Sequence, residues 1–307
     1  MEKKESIDVI EKAHPVDAML FGSMGAVAAQ LCQDLSKGFN GKQFEFMDVG
    51  EFQSLKDVSQ MNQTYWREML FRVYWAAALN IMRHQRWQSA CISAFNAPAN
   101  LLAFAGSLRG LVEASQDAWY SLGFVVKILA QDRTRIESAL TGRLANAVFI
   151  NPEFEERLLH FVYARKVGKE QRETAPTSHI ALDPKDYRNA IGLPEEEREA
   201  FRLLYDHLCG ICHPTAFSLL SFWELDGTSI RISPGRDDMQ IQALCHEYEA
   251  AISFCLSLSV TTSALCLKAL NWFSLAEVQC VDVERWNFND IPAWRKAQAT
   301  ASRGVVH

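Results

Sequence analysis

The sequence holds no glycine-rich phosphate loop, no G-x-S-x-G elbow and no H-E-x-x-H pair, so hydrolases built on those devices are disfavoured. It also lacks an excess of positive charge. The formal net charge is −6, which excludes a field drawing nucleic acid over the whole surface and requires any RNA contact to use a local patch. The first residues, MEKKESIDVIEK, have no apolar stretch of the kind that directs export, and the eight cysteines stand apart except for Cys209 and Cys212. Reduced thiols and a cytoplasmic location are therefore expected. Internal repeats and low-complexity segments are absent. What is present is ordinary for a folded soluble chain: 307 residues, 49% apolar and 22% charged, enough for a sizeable core.

Long uncharged runs are few. Ala250 to Leu267 is one, and it approaches the length of a membrane span. Its serines and threonines, and Lys268 directly after it, read as a buried core helix, so no membrane contact is expected. Gln88 to Leu108 is another uncharged stretch, expected to be surrounded by protein.

Helical periodicity dominates elsewhere. Val16 to Leu35 is expected to form a helix stopped by Gly38, followed by a turn-like stretch to Val49 with at most a short strand at 44–46. Helix resumes near Gln53 to Gln60 and runs strongly from Tyr65 to about Phe95. Pro98 suits the first turn of the next helix, which extends to about Ala130 with Asn96 as its cap. On it Arg109, Glu113 and Gln116 share a face, and charges following so apolar a run need partners on another helix. Arg133 to Val148 and Pro152 to Val167 read as two further helices. Gly168 to about Ile191 is polar and reads as a mobile connector or lid. Pro194 and Pro214 bracket a helix with three glutamates in its first turn. Leu219 to Ser233 alternates around Asp226-Gly227 as a hairpin with a type I′ turn. Asp237 to about Phe273 is the last long helix, and the tail from Val281 has no sustained period, so it is expected to wrap the surface or serve a partner. The expected fold is an all-α bundle with one small hairpin: a helical extension at 1–62, the bundle at 63–275 and a tail at 276–307.

Arg202 to Thr215, RLLYDHLCGICHPT, concentrates the chemistry. On a helix Arg202, Asp206, Cys209 and His213 fall within about 60° of one another, beside a stripe of Phe201, Leu204, Leu208 and Ile211. A polar face next to a buried one suits either an RNA-cleaving site or a buried hydrogen-bond network. Cys209-Gly-Ile-Cys212-His213 matches a haem-attachment string, but that chemistry belongs to exported proteins and not to a helix interior. A zinc site from His207, Cys209, Cys212 and His213 would need the helix to unwind. His246, Glu247 and Glu249 reverse the di-iron order and have no second copy. No metal or cofactor is expected. The basic run from Arg157 to Arg172 is diluted by glutamates and reads as a solvated face.

Arg202 and His207 form R-x-x-x-x-H, and in this the chain resembles the HEPN superfamily of all-helical proteins, many of them metal-independent RNases; Leu203 is apolar where that family usually has a polar residue. The pair Leu108-Arg109-Gly-Leu-Val-Glu113-Ala and Tyr205-x-x-Leu208-Cys209-x-x-x-His213-Pro214 resembles the signature segments of uncharacterised HEPN-like bacterial families, over about residues 65 to 270. The resemblance implies a helical bundle, often dimeric, with Arg109, Glu113 and His213 facing one another. For RNA cleavage His207 or His213 would serve as base or acid. Arg202, with Arg109, would hold the phosphate, and Glu113 and Asp206 would orient those side chains, with Tyr205 in support. The function expected on this basis is RNA cleavage or RNA binding in a bacterial stress, toxin or phage-defence role. RNA, a second copy of the chain and an antitoxin-like protein are the expected partners. The alternative is a non-catalytic helical scaffold that binds a partner.

Overall fold

The computed structural model describes residues 15–303 except Leu193, Ser221 and Pro234; the first fourteen residues of the expected extension lie outside the described residues. The fold is all-α with one small antiparallel hairpin. α1 (Pro15–Ser36) is kinked at Gly22, and α2 (Val49–Ser54) starts where the Asp48 carboxylate accepts from Gly50 N. Gly38 is not a left-handed stop. It lies beside Asp282, whose Oδ2 would stand 2.8 Å from an added β-carbon. The FEF segment at 44–46 is not a strand.

α3 (Val58–Phe95) opens on an Asp57 cap to Ser59 N at 2.7 Å. α4 (Leu101–Leu122) begins later than expected, because Asn100 Oδ1 accepts from Ala103 N at 2.9 Å and Pro98 stays in the connecting turn. The uncharged stretch there is not enclosed: Asn96, Ala97, Pro98 and Asn100 are exposed. α5 (Val125–Gln131) and α6 (Arg133–Leu140) follow. α6 ends eight residues early at Gly142, φ 71°. Arg143 N reaches Ser138 O at 2.9 Å and Gly142 N reaches Ala139 O at 3.0 Å, the paired closure that a left-handed glycine allows.

The chain after Gly142 is held by Asn62 of α3, which is fully buried. Its amide donates to Leu144 O and Ala147 O, both at 2.9 Å, and its oxygen accepts from Phe149 N at 2.7 Å. Removing it leaves three backbone groups without a partner. Asn62→Leu is therefore expected to lower unfolding free energy by about 3 kcal/mol, read by urea denaturation; a loss under about 0.5 kcal/mol would show that the amide does not organise this loop.

α7 (Pro152–Tyr163) is capped by Asn151. The connector holds local structure. Arg165 bridges to Ile180, and α8 (Lys169–Arg172) and α9 (Pro184–Ala190) lie within it. α10 (Glu195–Cys212) spans the expected helix after Pro194, and α11 (Ala216–Leu220) follows. β1 (Trp223–Asp226) pairs with β2 (Ser229–Ile232) with Asp226 opposite Ser229, so Gly227-Thr228 forms the turn. Only Gly227 of that pair has positive φ, 63°, which is the type II′ pattern and not type I′. The last long helix is divided at Tyr248 into α12 (Asp237–Glu247) and α13 (Glu249–Leu270). The tail forms α14 (Pro292–Arg303), anchored by buried Trp294 stacked on Trp272 at 5.3 Å.

The described residues form two compact units, interleaved in sequence: one from 15–34, 81–117 and 184–261, the other from 35–80, 118–183 and 262–303. The first has Phe104, Leu108, Phe201, Leu204, Leu208 and Ile252 buried, and the second Trp66, Phe149, Phe154, Leu270 and Trp294. α1 and α13 are long and apolar enough to cross a membrane by length and composition, but 67% of the most apolar window of α13 is buried inside the protein, as in a core helix.

Candidate functional site

Within the first unit α4 buries Leu108, Leu111 and Val112, which places Arg109 and Glu113 on the adjoining stripe one turn apart. Gly110 lets the helix pass close to Trp87, since an added β-carbon would stand 2.7 Å from the indole. α10 buries Phe201, Leu204, Leu208 and Ile211, with Tyr205 at the edge of that stripe. His213 ends the helix in extended backbone, φ −91° and ψ 159°, because a residue before proline avoids the helical region. Its imidazole leaves the helix there, exposed to solvent.

These four side chains form one network. Arg109 Nε donates to Glu113 Oε1 at 3.0 Å, Nη2 donates to the Tyr205 hydroxyl at 3.3 Å, and Nη1 lies 3.3 Å from His213 Nε2. Tyr205 donates to the same Glu113 oxygen at 2.8 Å. A guanidinium has donors only, so the His213 contact requires an unprotonated Nε2. Burial, then Glu113 as acceptor, holds the Tyr205 phenol well above its ordinary pKa, so it stays a donor. Burial also pushes the Cys212 thiol up, against the pull of Arg109. The network is only partly enclosed: the Arg109 side chain is 28% exposed and that of Glu113 41%.

Arg188 of α9 lies over the Tyr205 ring at 5.5 Å, as Arg109 does at 5.4 Å. Its Nη1 is buried with no hydrogen-bond partner among the described residues. Two guanidiniums thus flank one phenol against one carboxylate, an arrangement that favours an anion. Sequence reasoning missed Arg188 because its tie to Tyr205 is tertiary; it stood in what read as a connector.

Arg202 and His207 take other positions. Arg202 is held by Glu199, Nε to Oε2 at 2.8 Å and Nη2 to Oε1 at 2.5 Å, and by Asp206 at 2.7 Å. The hydrogen bond from Arg202 lowers the Glu199 carboxyl pKa. Two carboxylates on one exposed guanidinium make a surface ladder with its donors engaged. His207 Nδ1 stands 3.2 Å from the Tyr248 hydroxyl, and its ring lines a cavity of about 220 Å³ with Ile211, Phe217, Gln240 and Glu247. The structure therefore brings Arg109, Glu113, Tyr205 and His213 together, while Arg202 with Asp206, and His207, make separate contacts. All eight cysteines are free, and among the described residues no three histidine, cysteine or acidic side chains gather as a metal site.

No protein-family model, no curated protein and no solved structure matches the chain.

Proposed function

We propose that the protein is a cytoplasmic, HEPN-like RNA-binding or RNA-cleaving protein, acting without a metal and as a homodimer, in a bacterial stress, toxin or phage-defence role. The observation that supports this reading is a solvent-exposed imidazole whose Nε2 rests against a guanidinium that Glu113 and Tyr205 hold in place. A phosphodiester taking up the Nη atoms of Arg109 frees His213 Nε2 to accept the proton of the neighbouring 2′-hydroxyl. The 2′-oxygen then attacks phosphorus, Arg109 stabilises the charge that develops, and the 5′-oxygen leaves with a proton from water. The products are a 2′,3′-cyclic phosphate and a 5′-hydroxyl. In this reading Arg202 and His207, first candidates by spacing, stand outside the reacting set.

A second reading rests on a different feature of the same network. Each donating nitrogen of Arg109 already has a partner, which suits a clamp fixing α4 to α10 in a non-catalytic scaffold. Incubating the purified protein with total RNA in EDTA, followed by end-group analysis, separates the two. Fragments ending in cyclic phosphate are expected; intact RNA beside folded protein that also retains no labelled RNA in a filter-binding assay would leave the clamp.

A further inference from the structure

We propose that the second unit carries a binding site for a small phosphorylated polyol of the sugar-phosphate class. Its recess has a volume of about 670 Å³, within the range of small-molecule sites. The walls come from Gln63, Thr64 and Arg67 on α3, from the end of α6 with Thr141 and Arg143, and from the segment Ser274 to Glu277. The glycine closure of α6 sets Arg143 at this rim, and the Ser59 hydroxyl fixes the same turn by donating to Gly142 O at 2.8 Å.

The charges are unevenly matched. Glu137 accepts from Arg133 at 3.0 Å, and Glu277 accepts from Arg67 at 2.7 Å. Arg143 uses only Nε, donating to the Thr141 hydroxyl at 2.9 Å. Neither of its terminal nitrogens bonds to a described residue. A guanidinium edge with both Nη donors is thus left over in a recess whose carboxylates are already paired, and that edge matches two oxygens of a phosphate.

The remaining wall selects the body of the ligand. The hydroxyls of Thr64 and Ser274 make no hydrogen bond with the described residues, and Gln63, which donates to Leu140 O at 2.9 Å, keeps its side-chain oxygen as an acceptor. These groups suit a hydroxylated ligand. Leu140 and Leu275 are the apolar lining, and no aromatic ring lines the recess to stack a nucleobase. A sugar phosphate fits this inventory better than a nucleotide, and the inference does not rest on the RNA reading.

The test is calorimetric titration of the full chain with ribose 5-phosphate, ribose, inorganic phosphate and AMP. Ribose 5-phosphate is expected to bind most tightly, with inorganic phosphate at least tenfold weaker and ribose undetected. Arg143 is exposed, so Arg143→Ala should unfold at the wild-type temperature without ligand and bind ribose 5-phosphate at least tenfold more weakly. No binding of ribose 5-phosphate at millimolar concentration would overturn the proposal. So would undiminished binding by a folded Arg143→Ala, or AMP binding tenfold more tightly than ribose 5-phosphate.

Discussion

His213→Ala is expected to reduce RNA cleavage by about 10²–10⁴-fold, the range for loss of a positioned general base. The change should leave the fold nearly intact. His213 follows the last turn of α10 with its ring in solvent, and its backbone N–H, which closes the helix on Cys209 O at 2.9 Å, is kept by alanine. Its neighbour Pro214 still forces the chain out of the helix. Arg109→Lys should lose a comparable amount for a different reason: an ammonium can neither fork across two phosphate oxygens nor hold Glu113, Tyr205 and His213 at once. His207→Ala should change the rate by less than threefold, since that ring meets Tyr248 and the separate 220 Å³ cavity. Single-turnover cleavage of a labelled RNA checks all three. A His213→Ala protein that cuts at the wild-type rate removes that residue from the chemistry.

The second large effect concerns stability at high pH. Burial pushes Cys32 and Cys245 up to about 12, and raises Cys91, Cys255 and Cys266 further, from an ordinary value of 9. Below pH 9 the native and unfolded chains both keep these protons, so the stability is fully present. Above it the unfolded chain releases protons that the native state retains, and stability is lost as pH rises toward the folded values. Each thiol contributes a slope of up to about 1.4 kcal/mol per pH unit. Several acting together reach the whole stability of a typical domain, on the order of 5–15 kcal/mol, within two units. Tyr65 and Tyr74, also raised by burial, add to the loss above pH 10. Under reducing conditions the urea midpoint should be level from pH 7 to 8.5 and fall steeply by pH 10.5. A midpoint unchanged at pH 10.5 would mean that these thiols are not held from solvent, and Cys266→Ala should flatten the slope by about one thiol's share.

What the sequence discloses follows the range of each interaction. Both ends of α10 were legible because Pro194 and Pro214 act on their own neighbours. Arg109 and Glu113 were legible as neighbours from their i, i+4 spacing, and the apolar stripes of α4 and α10 place them beside Tyr205 and His213. The early end of α6 was not, since a lone Gly142 reads like any tolerated glycine until its closure forms. Trp294 carries no periodic signal of its own, yet stacking on Trp272 folds the tail as α14. Arg202 shows the opposite limit. Its spacing to His207 is a local fact, but the carboxylates of Glu199 and Asp206, three and four residues away, decide where its donors go. Arg188 and Tyr248 reach the chemistry-bearing helix only through tertiary contacts.

In the proposed reaction Arg109 and not Arg202 faces the phosphate, and the most direct measurement compares RNA binding and cleavage by the wild type, Arg109→Ala and Arg202→Ala at equal folded fraction. Cleavage lost by at least a hundredfold in Arg109→Ala and kept within threefold in Arg202→Ala is the expected result. Cleavage that survives Arg109→Ala and disappears in Arg202→Ala would contradict it.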